Sequence, residues 1–299
     1  MAASGALALG AALLFALGTV LQQRVAAAAT DAEAMRAGFL LRLARQPLWL
    51  AGIAVDAAGF VCQAAALGLG RIVVVQPVLA SSVVFALPLG IWLAGQRVGR
   101  SEWVAAAVVM AGLAAFLVIG DPSGGRDDAT AAGWIVAGAA IAAGSTALVL
   151  AARGRSAGAR AALLGTATGL LFGLSAALTK ATVERLDEGV VAVFTDWQVY
   201  ALIAVGYASM SLSQASLQTG RLAPAVATQM VLDPVASVLI GTLAFGERLH
   251  ETSAGVIASV AALAAMLGGL VVLAMAQESR PAPAAQDAPR ELGAQVGGG

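Results

Sequence analysis

The 299 residues are 60% hydrophobic and only 11% charged, and their formal net charge is zero. A soluble domain carries about 25% charged residues, so this composition excludes one, and the lack of a basic excess excludes a nucleic-acid face. One cysteine, Cys62, and one histidine, His250, exclude both an internal disulfide framework and a soft-metal site built from several Cys and His ligands.

Taken as boundaries, the charged residues leave nine apolar spans, at about 4–23, 47–69, 72–95, 103–120, 131–152, 161–179, 197–219, 222–245 and 254–276. Each approaches the roughly 20 residues that a helix needs to cross a bilayer core. No lysine or arginine precedes the first span and no small-residue cleavage site stands out before Gln22-Gln23-Arg24, so it reads as a retained helix. Segment 30–46 (TDAEAMRAGFLLRLARQ) is too short and too charged to span, and fits an amphipathic helix on the inner membrane surface.

In the second span Gly52, Asp56, Gly59, Gln63 and Gly70 share one helical face, a wall that suits protein or a cavity rather than lipid. The third carries Gln76-Pro77. The sixth carries Gly165, Gly169 and Gly173, a GxxxG ladder for close helix packing. The seventh places Ser209, Ser213 and Ser216 on one face beside Gln214 and Gln218, and the eighth places Gln229, Asp233 and Ser237 on another. Pro234 withholds the N–H that would bond the Met230 carbonyl and biases Asp233 away from helical geometry. Helix breaks at Pro77 and Pro234 are therefore expected, and polar breaks near the midplane are a transporter's way of building a site. The Pro-, Ala-, Gln- and Gly-rich stretch 277–299 reads as a disordered tail.

Only Asp56 and Asp233 among the charged residues fall inside spans. A carboxylate at mid-depth costs about 2.5–3.5 kcal/mol on insertion scales, so such residues usually serve a site or a partner. No basic residue shares a span with them. They need a proton, a metal ion, a cationic substrate, or Lys180 or Arg24 reaching in from a span edge. Mg²⁺ takes one or two carboxylates with waters and other oxygens. Asp233, Asp56, Gln229, Gln63 and Gln76, with carbonyls freed by Pro77 and Pro234, would suit it. The plainer alternative makes each Asp a structural residue locking two helices, Gln76 a helix–helix bond, and Lys180 a snorkelling anchor.

Counting basic residues between spans puts 12 on one side and 5, namely Arg71, Arg126, Lys180, Arg185 and Arg248, on the other. The positive-inside rule then sets the amino terminus outside and the carboxyl terminus in the cytoplasm of a multi-pass plasma-membrane protein.

The chain also repeats itself. LLFALGTVLQQ (13–23) aligns with LLFGLSAALTK (170–180), LGLGRIVVVQP (67–77) with LQTGRLAPAVA (217–227), and GQRV (95–98) with GERL (246–249). Equivalent spans are five apart, so each pair crosses in opposite directions, the inverted-repeat design of transporters. The expected fold is an all-α polytopic membrane protein of about nine helices in two inverted four-helix repeats joined by a linking helix. Residues 1–120 form the first repeat, 121–160 the linking helix and loops, 161–276 the second repeat, and 277–299 the cytoplasmic tail.

RLARQPLWLAG (42–52), the Gln76-Pro77 break and the GQRV and GERL turns, each followed by another span, resemble the drug/metabolite transporter (EamA-like) superfamily. The charged segment 30–46 stands where typical members have a second span. That departure, the span count and the outside amino terminus make the chain most similar to the NIPA-like magnesium transporters. The resemblance implies a secondary transporter carrying Mg²⁺ or another cation by alternating access. A proton-coupled exporter of a small metabolite or drug, or a non-transporting membrane scaffold, are the alternatives. No HExxH motif, nucleotide loop or nucleophile–base pair points to an enzyme or a cofactor. The expected partners are the bilayer and a small solute or cation, with a homo-oligomer left open.

Overall fold

The computed structural model describes residues 2–27, 46–250 and 252–278. Segment 30–46, apart from Gln46, and the tail beyond Glu278 lie outside them. Eleven α-helices are described: α1 (Ala2–Ala27), α2 (Pro47–Gly68), α3 (Ile72–Ala80), α4 (Ser82–Ala94), α5 (Arg100–Gly120), α6 (Ala131–Ala151), α7 (Ala157–Glu184), α8 (Val190–Thr195), α9 (Trp197–Leu217), α10 (Leu222–Leu243) and α11 (Ser253–Glu278). With α3 and α4 counted as one span, eight are long and apolar enough to cross a membrane. Helix α9 matches them in length, at 21 residues, but its serines and glutamines keep it out of that set. The outward faces are apolar: Trp92 is 80%, Val118 79% and Leu243 82% exposed. Apolar exposure on that scale needs lipid around it, and this is a multi-pass membrane protein.

Small residues set the helix contacts. A Cβ on Gly169 of α7 would stand 2.8 Å from the Gln229 carbonyl oxygen and 3.0 Å from the Asp233 nitrogen of α10. One on Gly173 would stand 2.6 Å from Ala236 Cβ. The glycine ladder thus brings two backbones together, which is how helices gain contact where lipid offers no hydrophobic drive. The glycine face of α2 does the same on α1, where a Cβ on Gly52 would meet Gln22 Cγ at 2.8 Å and one on Gly59 the Phe15 ring at 3.0 Å. Helix α1 packs on α2, α3 and α4; α7 packs on α6, α9 and α10; α3 meets α10, and α5 meets α11.

The two expected breaks differ from the expectation. Helix α10 runs unbroken through Pro234, and Pro77 lies within α3. A proline's fixed φ is itself helical and it deletes one bond, which a helix packed along its length tolerates. The interruption falls at Ser81, four residues past Pro77. Its φ of −67° and ψ of −10° keep it helical, and its hydroxyl donates to the Val78 carbonyl at 2.6 Å.

One end of the bundle is tied by polar contacts from distant segments. Strands β1 (Ser123–Gly124) and β2 (Glu247–Arg248) pair antiparallel. Arg71 Nε donates to the Gly124 carbonyl at 2.8 Å. The Glu247 carboxylate accepts from the Ile72 and Val73 backbone N–H groups, each at 2.9 Å. Arg185 pairs with Asp128 at 3.2 Å and Asp196 at 2.9 Å, and Trp134 Nε1 donates to Asp128 at 2.8 Å.

Candidate functional site

Where α3 and α4 pass α10, a cavity of about 200 Å³ lies beside Asp233. It is walled by Gln76, Leu79, Ala80, Ser82 and Val83 from the α3–α4 span and by Met230, Asp233 and Pro234 from α10. Phe15 of α1, Gln63 of α2 and Leu270 of α11 close it. Three of the five residues expected to form the site therefore meet here: Asp233, Gln63 and Gln76.

Their surroundings give them chemistry. Asp233 is half-buried, and Ser237 Oγ donates to its Oδ1 at 3.4 Å, a long contact that leaves the carboxylate's remaining acceptor capacity to the cavity. Among the described residues, no lysine, arginine or histidine lines the cavity. Gln76 is 4% exposed, and its Nε2 has no hydrogen-bond partner among the described residues. A buried polar atom left unpaired costs about 1–3 kcal/mol, and this one belongs to a side chain that lines the cavity.

The other expected site residues lie elsewhere. Asp56 is about 10 Å along α2 from Gln63, a separation of seven residues at 1.5 Å each. It accepts a hydrogen bond from Gln22 Nε2 and sits over Gly18, where a Cβ would overlap its Oδ1. It joins α1 to α2, the helix-locking alternative. Accordingly Asp56→Asn, which keeps an oxygen for Gln22, is expected to leave solute uptake within about twofold of wild type, as surface-like changes of roughly 0.5 kcal/mol do. A much larger loss in proteoliposome uptake would put Asp56 back in the site. Gln229 faces α9, where Ser213 Oγ donates to its Oε1 at 3.2 Å, while Ser209 and Ser216 donate to carbonyls of their own helix.

Lys180 also departs from expectation. It is 5% exposed, and its Nζ donates to the Leu67 and Gly70 carbonyls at 3.2 and 3.0 Å with Glu184 at 3.6 Å. A cation on the last carbonyls of α2 complements the negative end of that helix. It neither snorkels outward nor pairs with Asp233 or Asp56. Burial pushes the Glu247 carboxyl at this same end up from its ordinary range, opposed by the Val73 and Ile72 N–H bonds and by the charges of Lys180 and Arg71.

Sequence reasoning passed over Phe15, Ser82, Met230 and Leu270. Ser82 carried a usable signal, because Asp233 aligns with Ser82 or Val83 in the repeat. Phe15 and Leu270 carried none, being two apolar residues among many.

The chain is 30% identical over 270 residues to a protein of Corynebacterium glutamicum described as uncharacterized, an alignment covering 89% of this chain and 92% of that one. No family model and no solved structure matches it.

Proposed function

The chain belongs to the same family as the corynebacterial protein, and for it we propose a secondary transporter that works by alternating access around the Asp233 cavity. The carrying observation is the cavity wall: an intramembrane carboxylate, with no cationic partner among the described residues, shares it with two amides on helices from the other half of the chain. Such a residue is a functional-site hypothesis by default.

The repeat alignment supports the same reading. The repeat slips by one residue between Pro77 and Gly95, so Asp233 aligns with Ser82 or Val83, and all three line the cavity. Packing is paired in the same sense. Helix α1 packs on α2 and on α3–α4 as α7 packs on α9 and α10, and the equivalent pairs α3–α10 and α5–α11 meet across the halves. Nine crossings are supported by parity. Residues 123–124 pair with 247–248 at one end of the bundle, so an even number of crossings separates them. Helices α6, α7, α9 and α10 supply four, which favours a crossing by α9 despite its polar face. On the basic-residue count, the end bearing Glu247 faces outward.

The cargo is a small solute, with a cation favoured. The cavity is smaller than the roughly 300–1,000 Å³ that drug-sized ligands occupy, which disfavours drug export. Among the described residues no group of three His, Cys, Asp or Glu could cage a bare metal. A partly hydrated Mg²⁺ needs less: one carboxylate, the amide oxygen of Gln63, and room for several waters of about 30 Å³ each. Proton-coupled movement of a small metabolite would use Asp233 as the proton carrier. The two are separated by loading purified protein into liposomes. Mg²⁺ uptake above empty liposomes is expected for the first. Its absence, with pH-gradient-driven solute flux, would establish the second. A Mg²⁺-dependent rise in melting temperature for wild type but not Asp233→Asn gives an independent reading, since a ligand at 100 times its Kd adds about 2.7 kcal/mol.

A further inference from the structure

We propose that Glu247 is the latch that holds one end of the bundle shut and that Gln96 is its counterpart at the opposite end, an inference that rests on the transport reading and its two inverted halves. Glu247 is 3% exposed and reaches back 175 and 174 residues to accept from Ile72 and Val73 N–H, the first donors of α3. Those N–H groups have no partner within their own helix, and a carboxylate there also meets the positive end of the helix dipole. The bond therefore joins the loop after α10 to the helix that carries Gln76 into the cavity.

The repeat places a second set of the same parts at the other end. Arg71-Ile72-Val73 aligns with Arg221-Leu222-Ala223, and Gly95-Gln96 with Gly246-Glu247. Gly95 and Gly246 adopt the same left-handed turn, with φ of 63° and 69°. Gly90 and Gly241 align as well, and each makes room for the side chain in question. A Cβ on Gly90 would stand 2.5 Å from Gln96 Oε1, and one on Gly241 2.6 Å from Glu247 Oε2.

The two ends are not in the same state. Ile72 is fully buried, whereas its equivalent Leu222 is 53% exposed. Along α10, Ala223, Ala225 and Ala227 are buried, residues 228–233 are half-buried, and Pro234, Ala236, Ser237, Val238, Ile240 and Gly241 are buried again. Helix α3 lies against α10, whereas α4 packs chiefly on α1. The Glu247 end is closed over Ile72, and at the other end Leu222 is left uncovered. In the exchanged state Glu247 releases α3, and the Gln96 amide oxygen accepts from the first N–H groups of α10. A carboxylate accepts two such bonds with two oxygens and an amide has one oxygen to offer, so the form closed by Glu247 is the more populated.

The test uses the full chain in nanodiscs, with Cys62→Ser to remove the native thiol and Val75→Cys as a reporter at a position 0% exposed in the closed form. The readout is the rate of labelling by a water-soluble maleimide. Loss of two bonds to a charged group is expected to raise that rate about tenfold or more in Glu247→Ala. Gln96→Glu strengthens the opposite latch with Glu247 intact, and is expected to raise the rate as well. An unchanged rate in both variants overturns the proposal. A rise in Glu247→Ala alone overturns the Gln96 half, because loosened packing would produce it too. No substrate enters this assay. Shifted labelling without flux in liposomes would sink transport and leave the latch, and flux with unshifted labelling would do the reverse.

Discussion

Asp233→Asn is expected to lower the initial uptake rate about 30-fold or more while the purified protein stays monodisperse. The substitution keeps the volume and one acceptor oxygen, and Ser237 still has that oxygen to donate to. It removes the one charge that the described residues place on the cavity wall. Losing one partner of a desolvated charge pair costs about 2–5 kcal/mol in binding, and each 1.4 kcal/mol is tenfold, which sets the size of the effect. In the absence of substrate the thermal midpoint should hold or rise, since an intramembrane carboxylate without a cation is itself costly. The check is paired: uptake in proteoliposomes and melting in detergent on the same preparation. Retained uptake would remove Asp233 from the site and leave the cavity without its charge.

Gly169→Val is expected to lose uptake by a different route, through displacement of α10 with Asp233 still present. Even the first carbon of a side chain there would stand 2.8 Å from both the Gln229 carbonyl oxygen and Leu232 Cβ, and 3.0 Å from the Asp233 nitrogen. These are mostly backbone atoms, so the neighbour cannot turn aside and the two helices must part. Overpacking of this kind costs about 1–3 kcal/mol, and more where backbone must move. A lower melting temperature together with weaker substrate-induced stabilisation is the expected signature. Gly138→Val, on α6 where a Cβ would meet nothing within 4 Å, is the control and should change neither quantity. Equal behaviour of the two variants would mean that the α7–α10 contact does not position the site.

How much of the site was legible beforehand follows from what each residue's role depends on. Asp233 stood out because a charge inside a 25-residue apolar stretch has an energetic cost that composition alone reveals. Gln63 and Gln76 were picked out by being polar within apolar spans, and both line the cavity. The same criterion selected Asp56 and Gln229, which do not line it. Polarity within a span says that a partner exists. It does not say whether that partner is a ligand or another helix, and for these two it is Gln22 and Ser213. Lys180 was misjudged for a related reason: a lysine near a helix end can reach headgroups or a neighbour's carbonyls with the same stem, and the position of α2 decides which.

The amino-acid sequence by itself determined that this chain lives in a bilayer, where its helices lie, and that its apolar spans carry two carboxylates and no basic residue. Those properties follow from the composition of each short segment, because a bilayer tests every 20-residue stretch separately. Only the tertiary structure decided that Asp233, Gln63 and Gln76 share one cavity while Asp56 does not. It also decided that the helices run through Pro77 and Pro234, and that Glu247 closes on Ile72 and Val73. These depend on which faces of helices far apart in the chain come to touch, and no local pattern in either segment carries that information.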